Sequence, residues 1–372
     1  MNRKCIVGMW VLTCIAVFGP GAWAGDLNPS APPTAGTMKT LEEVEPRVAV
    51  GPATTPGDAT CIYKITSPGS YYLKGNVTGE GSKSGIVVAA SNVTLDLNGF
   101  TLSGVAGSLD GIRPGSGAGG SYQTHVVITN GIVRGWGGTG VATYAYTGGF
   151  MDPAISYARI EGVIAAENGM FGIRGAYGGI IRNCIARDNG NSGILTTNNG
   201  GVVENCTSVS NGSDGFACYE GTTITNCSSM SNTGKGIYCG NSGHTIIGCT
   251  VLGNEGGGID AGSVTAVKDC TLRGNTTFGI RITFDCFITD CEIAGNQGDG
   301  INGVNIGGQG KSRIDGNNVC GNTGYAMSLL NNPGNFIYRN TIRGNSLNVG
   351  ADNSAPVSSD PATAGPWHNI VF

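Results

Sequence analysis

The sequence IRNCIARDNGNSGI begins at Ile181 and recurs with small changes between residues 160 and 350. Two of the other copies are VENCTSVSNGSDGF from Val203 and ITNCSSMSNTGKGI from Ile224. Nine copies start 21, 22, 21, 22, 21, 21, 26 and 23 residues apart. Such a short, fixed period is typical of stacked units that bury their apolar faces against one another. A copy has room for short strands and none for a helix, so we predict an all-β solenoid, a parallel β-helix of about 11 coils.

The columns formed by equivalent positions predict how the coils stack. Successive strand side chains point to opposite faces, so positions 0, 3, 5, 8, 13 and 15 of each copy should point inward. Position 8 is Asn in every copy, and we expect each amide to hydrogen-bond to the next coil, about 4.8 Å away. This asparagine ladder consists of Asn168, Asn189, Asn211, Asn232, Asn254, Asn275, Asn296, Asn322 and Asn345.

Position 3 is Cys in six successive copies. Parallel side chains in a line cannot converge tetrahedrally on zinc, and they fit the torsion of a disulfide poorly. We therefore expect buried thiols that pack as small apolar groups. This cysteine ladder consists of Cys184, Cys206, Cys227, Cys249, Cys270 and Cys291. At position 15, Cys218 and Cys239 form a second column, for which a disulfide remains an alternative.

The start of the chain resembles an export signal. Residues 1–24 combine Arg3 and Lys4 with an apolar run and a small-residue cleavage site, which predicts a signal peptide. We expect an exported protein that is periplasmic, on the cell surface or extracellular. Residues 25–36 are rich in Pro, Ala, Ser and Gly and are predicted to form a flexible leader.

Two further segments are predicted to cap the solenoid, residues 76–350. An open stack of strands must cover its end edges to avoid end-to-end association. The N-terminal cap, residues 37–75, is expected to contain a short helix and a hairpin of Cys61–Thr66 with Tyr71–Lys74. The tail, residues 351–372, ends in apolar residues that we expect to dock on the last coil.

Composition and charge exclude some partners. Charged residues are only 12% of the chain and Gly accounts for 66 of 372 residues, so turns dominate the surface. The net charge is −4 with no basic run, which argues against a nucleic-acid partner. No stretch after the signal reaches the roughly 18 apolar residues of a transmembrane helix.

The coils before Ile160 are longer and carry most of the candidate recognition residues. They fit the repeat if Leu97 and Ile128 take the place of Ile160, and about ten surplus residues then follow Gly111-Ile112 and Gly140-Val141. Aromatic rings on loops of a rigid scaffold can stack on sugars. The candidates are Tyr122, Tyr144, Tyr146, Phe150 and Tyr157, whose alternative role is to pack over the flank of the stack.

A few charged residues are candidates for chemistry. Asp269 and Asp290 share position 2 on adjacent coils, with Lys268 beside the first, so their carboxylates could form a catalytic pair or a calcium site. The alternative is that both cap turns. Asp260 and Arg281 share position 14 and are expected to form a surface ion pair, or else to bind substrate.

Three motifs outside the repeat point to a known family. They are PGSYYL from Pro68, VTLDLNGFTL from Val93 and Gly-Trp-Gly-Gly from Gly135. With the repeat, they make the chain similar to exported bacterial members of the pectin-lyase-like superfamily. This resemblance implies a single right-handed parallel β-helix and a polysaccharide-related role, since that superfamily includes lyases, hydrolases, epimerases, carbohydrate binders and structural spikes.

The resemblance assigns no reaction. The paired-Asp and Gly-His-Gly motifs of polygalacturonases are missing from the sequence, and the nearest string is Gly243-His244-Thr245. No motif requires a cofactor, and calcium is the one candidate. The sequence therefore favours an exported β-helix protein that binds or processes a polysaccharide or cell-surface glycan. The alternative is a non-catalytic structural or adhesive solenoid.

Overall fold

The computed structural model describes residues 45–115, 123–147, 150–152, 155–175, 177–197, 200–304, 311–329, 334–351, 357–359 and 363–372. The elements below lie in the unit Arg47–Phe372. Within these residues the secondary structure is all β, and the strands form a parallel solenoid of about 12 turns, close to the 11 predicted. Nowhere in the described chain is there a helix long and apolar enough to cross a membrane.

Two long sheets form the walls of the solenoid. Sheet 1 receives two strands from each regular coil, and its described strands number 25. They are Val48–Ala49, Gly69–Tyr72, Val77–Thr78, Val93–Asp96, Thr101–Ser103, Val126–Arg134, Arg159–Ala166, Ile180–Arg182, Ile185–Arg187, Val202–Glu204, Thr207–Val209, Thr223–Thr225, Ser228–Met230, Thr245–Ile247, Thr250–Leu252, Ala266–Lys268, Thr271–Arg273, Phe287–Thr289, Glu292–Ala294, Arg313–Asp315, Asn318–Cys320, Phe336–Tyr338, Thr341–Arg343, Val357–Ser358 and Asn369–Val371.

Sheet 2 receives one strand from each coil and has 14 described strands. They are Pro56–Asp58, Cys61–Ile65, Ser84–Val88, Ile112–Pro114, Val141–Ala142, Ile173–Gly175, Ile194–Thr196, Phe216–Cys218, Lys235–Cys239, Gly257–Asp260, Phe278–Ile282, Asp299–Gly303, Tyr325–Leu329 and Leu347–Ala351. Two small ribbons complete the strands: Gln123–Thr124 pairs with Ile155–Ser156, and Ala145–Thr147 pairs antiparallel with Phe150–Asp152.

The core is a stack of apolar residues at the predicted positions. In sheet 2, the fully buried residues lie one above another in the order Ile173, Ile194, Phe216, Ile237, Ile259 and Ile280. Each coil alone would leave this apolar face in water, so stacking is what stabilises the strands.

The asparagine ladder is confirmed. From Asn168 to Asn345, the Nδ2 of each amide donates to Oδ1 of the next at 2.9–3.0 Å. The same Oδ1 also accepts the backbone N–H of the preceding ladder residue, as in Asn232 N to Asn254 Oδ1 at 3.1 Å. Buried backbone donors at this corner are thereby satisfied by side chains.

The cysteine ladder is also confirmed as a column of buried free thiols. All six are buried, and none of the described cysteines forms a disulfide. Cys218 and Cys239 lie opposite each other in sheet 2 and are free as well, so the disulfide alternative is not realised. Burial raises the pKa of Cys218 to about 12, which makes it an unreactive thiol.

The N-terminal strands differ from the prediction. Cys61–Ile65 and Gly69–Tyr72 do not pair with each other as a hairpin, because they belong to different sheets and pair in parallel with Ser84–Val88 and Val93–Asp96. The antiparallel partner of Cys61–Ile65 is Pro56–Asp58, which precedes it. The residues predicted to form a short helix lie outside the described residues, apart from Glu45.

The register of the first long coil also differs from the prediction. Ile128 pairs with Ile160, as expected, but its other partner is Leu95 and not Leu97. The reason is a turn at Asn98 and Gly99, both at positive φ, which takes up the two extra residues between the strands of sheet 1.

At the C-terminal end, Asn369–Val371 pairs in parallel with Thr341–Arg343. Asn369 accepts from the backbone N–H and the Nδ2 of Asn340 and donates to the carbonyl of Ile337. The terminal segment thus adds one more polar rung to a corner of the solenoid.

Candidate functional site

The outward face of sheet 2 brings charged and aromatic side chains together. Because its strands pair in register, position 14 of the repeat forms one continuous column. In chain order the column is Ala142, Arg174, Leu195, Ala217, Tyr238, Asp260, Arg281, Asn302 and Ser328. Asp260 and Arg281 are therefore adjacent, as predicted.

A cleft of about 570 Å³ surrounds this pair, and we call it the Asp260 cleft. Arg281 donates from Nε to Asp260 Oδ1 at 2.9 Å and from Nη2 to Asp260 Oδ2. Lys235 Nζ lies 3.3 Å from the same Oδ2. Asp260 is only 7% exposed, so the expected surface pair is in fact largely desolvated on the carboxylate side. Two cations thus flank one buried anion, and the Asp214 carboxyl also interacts with Lys235.

Aromatic rings hold both cations in place. Lys235 Nζ lies 4.4 Å from the centroid of the Tyr238 ring, and the Arg281 guanidinium carbon lies 4.9 Å from that of Phe278. The hydrogen bonds to Asp260 raise the pKa of Arg281 further above its ordinary value. The cations are therefore positioned by the fold before any ligand arrives.

A larger cleft of about 800 Å³ lies nearer the N-terminus on the same face, and we call it the Asp110 cleft. Its charged and aromatic lining consists of Asp110, Arg113, Tyr144, Phe171 and Arg174. Sequence reasoning named Tyr144, but it missed Asp110 and Arg113. Aligning Gly111-Ile112 with the Gly-Ile pairs of the regular copies would have placed Arg113 at position 14 and Asp110 at position 11.

Both arginines of the Asp110 cleft are held by several partners. The Arg174 guanidinium carbon lies 3.7 Å from the centroid of the Tyr144 ring and 5.3 Å from that of Phe171. Arg113 donates from Nε to Ser84 Oγ at 2.9 Å and from Nη1 to the carbonyl of Pro114 at 3.1 Å. Two guanidinium groups of fixed orientation thus line one cleft.

Asp110 is tied to the backbone of the next coil. Its Oδ1 accepts the backbone N–H of Thr139 at 2.7 Å, and burial raises the pKa of this carboxyl above its usual range. A Cβ on Gly138 would lie 2.3 Å from this oxygen, so glycine is required there.

The same arrangement recurs at Asp214 and Asp299. Their Oδ1 atoms accept the backbone N–H of Lys235 at 2.7 Å and of Tyr325 at 2.8 Å, again beside glycines. An Asp at position 11 is therefore a structural device of the repeat, and Asp110 differs from the other two in having two arginines around it.

The candidate pair Asp269 and Asp290 occupies the turns between the two strands of sheet 1. Both have positive φ and are exposed. The equivalent position in other coils holds Asn183, Asn205 and Asn226, which are also exposed and have positive φ. Asp and Asn tolerate this left-handed conformation better than other non-glycine residues. Lys268 Nζ lies 3.8 Å from Asp269 Oδ2. Across the described ranges, no three His, Cys, Asp or Glu side chains converge to hold a metal ion.

The aromatic candidates separate into different environments. Tyr144 is 2% exposed and packs against Arg174, whereas Tyr157 is 54% exposed and stacks on His125 with ring centroids 6.1 Å apart. Tyr146 and Phe150 lie in the small antiparallel ribbon, but their side chains are outside the described part of the chain, as is the whole of Tyr122.

Comparison with known proteins identifies the fold. A family model described as "Right handed beta helix region" matches residues 116–276. The A-module of a mannuronan C-5 epimerase of Azotobacter vinelandii superimposes with a TM-score of 0.55, at 18% identity over 75% of this chain and 80% of that one. A tailspike protein of E. coli bacteriophage HK620, solved in complex with a pentasaccharide, gives a TM-score of 0.53 at 12% identity over 91% and 81%.

No curated protein sequence matches the chain. At such low identities the structural likeness shows the fold alone. Together with the family match and the parallel solenoid, it establishes that the chain is a right-handed parallel β-helix protein.

Proposed function

We propose that the protein binds polysaccharide and that the Asp110 cleft binds an anionic segment of the glycan. The observation that carries this proposal is the pair of fixed guanidinium groups, Arg113 and Arg174, in one open cleft of about 800 Å³. A cleft of this volume has the size of a small-molecule site and holds a few sugar rings.

The chemistry of the lining selects the ligand class. Guanidinium groups bind carboxylates through paired, charge-assisted hydrogen bonds, and uronic acids are common sugars that carry a carboxylate. Burial raises the pKa of Asp110, while the hydrogen bond from Thr139 and the charges of Arg113 and Arg174 act in the opposite direction. The two guanidinium groups outnumber this one carboxyl group, which fits a uronate better than a neutral sugar.

Two further observations support the proposal. The structural relatives include a mannuronan C-5 epimerase and a tailspike protein in complex with a pentasaccharide. The signal-like residues 1–24 would place the protein outside the cytoplasm, where it would meet cell-surface or extracellular glycans.

Binding is favoured over processing of the glycan. The carboxyl group in the cleft, Asp110, makes the same backbone contact as Asp214 and Asp299 in other coils. The repeat thus explains why Asp110 is present. Arg113 and Arg174, in contrast, distinguish this cleft from the surroundings of Asp214 and Asp299. Processing of the glycan would require a catalytic role for the same cleft in addition to binding.

The test is titration calorimetry with sodium alginate, polygalacturonate and a neutral glucan, with and without calcium. We expect binding of one or both uronates and none of the glucan. Arg113→Gln and Arg174→Gln should each weaken uronate binding at least about tenfold, since each removes a charge-assisted contact. Arg273→Gln, on the exposed face of sheet 1, is the matched control. Equal binding by all four proteins, or no binding by the wild type, would overturn the proposal.

A further inference from the structure

We propose that the Asp260 cleft is a second subsite for the same glycan chain, which lies along the stacking axis and spans both clefts. This inference rests on the proposed function and specifies its ligand: a uronate polymer long enough to reach from Arg174 to Arg281. Nothing in the repeat requires the charged groups of the Asp260 cleft, because other coils have Leu195, Ala217 or Asn302 at position 14.

The two clefts are separated by a distance that a glycan can span. Arg174 and Arg281 lie in one column, and five strand-to-strand steps separate them. At the usual strand spacing this is about 24 Å. A sugar ring extends a chain by about one strand spacing, so about five or six residues of a polysaccharide bridge the clefts.

One row of side chains, at position 11, connects the clefts. Backbone hydrogen bonds between consecutive coils stack Phe171, Ser192, Asp214 and Lys235 in that order. Phe171 lines the Asp110 cleft and Lys235 lines the Asp260 cleft. Between them, Ser192 is buried, whereas Asp214 is half-buried with Oδ1 bound to the backbone of Lys235. Asp214 is therefore the polar side chain of this row that can accept a hydrogen bond from a sugar hydroxyl between the clefts.

The Asp260 cleft is built to hold an anion-bearing sugar. The buried Asp260 carboxylate fixes Lys235 and Arg281 and is itself neutralised by them. The Asp214 carboxyl also interacts with Lys235, so the cations of this cleft are balanced by two acidic groups. The Tyr238 ring stands beside Lys235, half-exposed, in the cleft wall. The residues around it add the hydroxyl of Ser263 and the amide of Asn241. Cation, ring and neutral hydrogen-bonding groups together match a uronate ring.

The consequence is a dependence of affinity on chain length. A short oligomer occupies one cleft, whereas a longer one occupies both, and its second contact benefits from the high effective concentration of a tethered ligand. We expect a uronate oligomer of about eight sugars to bind at least about tenfold more tightly than one of about three sugars.

The experiment compares these two oligomers, prepared from the polymer that the wild type retains, by titration calorimetry on the full chain. Arg281→Gln and Tyr238→Ala should each reduce the advantage of the long oligomer to less than about threefold. They should leave in place the short-oligomer binding that Arg113→Gln and Arg174→Gln weaken, because the Asp110 cleft is intact. Tyr238→Ala keeps the ion pair and guards against a folding defect, which the melting temperature reports for every variant. Arg273→Gln is the control that keeps the full length dependence.

Each outcome is informative about one site. If both variants keep the tenfold advantage, or if the wild type has none, the second subsite is refuted while the Asp110 cleft stands. If short-oligomer binding is lost in Arg281→Gln and Tyr238→Ala alike, the two clefts are not separate subsites and the inference also fails. If the wild type binds neither oligomer nor polymer, the proposed function itself fails.

Discussion

The backbone N–H of Cys291 donates to Oδ1 of Asn317 at 2.9 Å, and this bond joins the cysteine ladder to a second asparagine column. Asn317, Asn340 and Asn369 continue that column by amide hydrogen bonds of 2.9 and 2.8 Å. One corner of the solenoid is thus occupied by thiols in its middle coils and by amides in its last coils. The thiols and the amides differ in polarity, but the backbone follows the same path at this corner in both sets of coils.

This junction predicts that Asn is tolerated at one end of the cysteine ladder and not in its middle. In Cys291→Asn, the new Nδ2 would face Asn317 Oδ1 and extend the existing amide column. In Cys227→Asn, the neighbours on both sides are Cys206 and Cys249, so part of the buried amide stays unsatisfied. We expect a change within about 0.5 kcal/mol in the free energy of unfolding for Cys291→Asn and a loss of about 2 kcal/mol for Cys227→Asn. Urea unfolding measures both, and equal losses would contradict the explanation.

The position of a residue along the asparagine ladder should decide its contribution to stability. Asn254 is buried, donates to Asn275 Oδ1 and to the carbonyl of Ser229, and accepts from the backbone and side chain of Asn232. Asn254→Ala should cost about 3 kcal/mol, because several buried groups lose their partners at once. Asn345 is half-buried at the last rung, and Asn345→Ala should cost about 1 kcal/mol. Differential scanning calorimetry orders the two variants, and the reverse order would show that the ladder does not act as described.

The fold could be predicted because the columns of the repeat are consequences of stacking. A strand spacing and a two-residue alternation are enough to place every Asn of the ladder and to put Asp260 beside Arg281. Pairing in the first coils could not be predicted in the same way. Alternation identifies Cys61–Ile65 as a strand, but it does not say whether the partner precedes it, follows it or lies one coil away.

The site was predicted only in part, for a related reason. Asp260 was placed correctly but expected at the surface, because its burial depends on Lys235 and Arg281 closing around it. Asp110 and Arg113 were missed because they belong to a long coil whose register was uncertain. Tyr144 was a candidate either for stacking on a sugar or for packing over the flank of the stack, and its ring packs against Arg174, which lies in the following coil.

A buried histidine predicts how stability depends on pH. Thr222 N donates to His244 Nδ1 at 3.3 Å, so Nε2 carries the proton and donates to the carbonyl of Gly240 at 2.7 Å. Burial lowers the pKa of His244 in the folded state below its ordinary value of 6.5. Below about pH 6.5 the unfolded chain therefore binds a proton that the folded chain does not. As the pH is lowered further, the free energy of unfolding decreases until the pH falls below the lowered pKa of the folded state.

The pH dependence can be assigned by comparing two variants. His244→Gln should lose the part of the decline below about pH 6.5 that comes from this histidine, whereas His125→Asn, at an exposed position, should keep it. Urea midpoints measured across that range give the difference directly. If the wild type and His244→Gln lose stability in parallel, His244 is not the responsible group.

The last prediction concerns Gly138, the glycine beside Asp110. It tests whether uronate binding depends on where the Asp110 carboxylate lies, with every charged residue of the cleft kept. Gly138→Ala would place a Cβ 2.3 Å from Asp110 Oδ1 and push the carboxylate away from the backbone of Thr139 and into the cleft. Gly324→Ala makes the same collision, 2.4 Å from Asp299 Oδ1, several coils away from the Asp110 cleft. Both variants should lose a similar stability, about 1 to 3 kcal/mol, because the same bond is disturbed. Only Gly138→Ala should weaken uronate binding, since a displaced carboxylate would compete with the ligand for Arg113 and Arg174. Calorimetric titration of both variants checks this, and equal affinities would mean that the Asp110 cleft is not where the glycan binds.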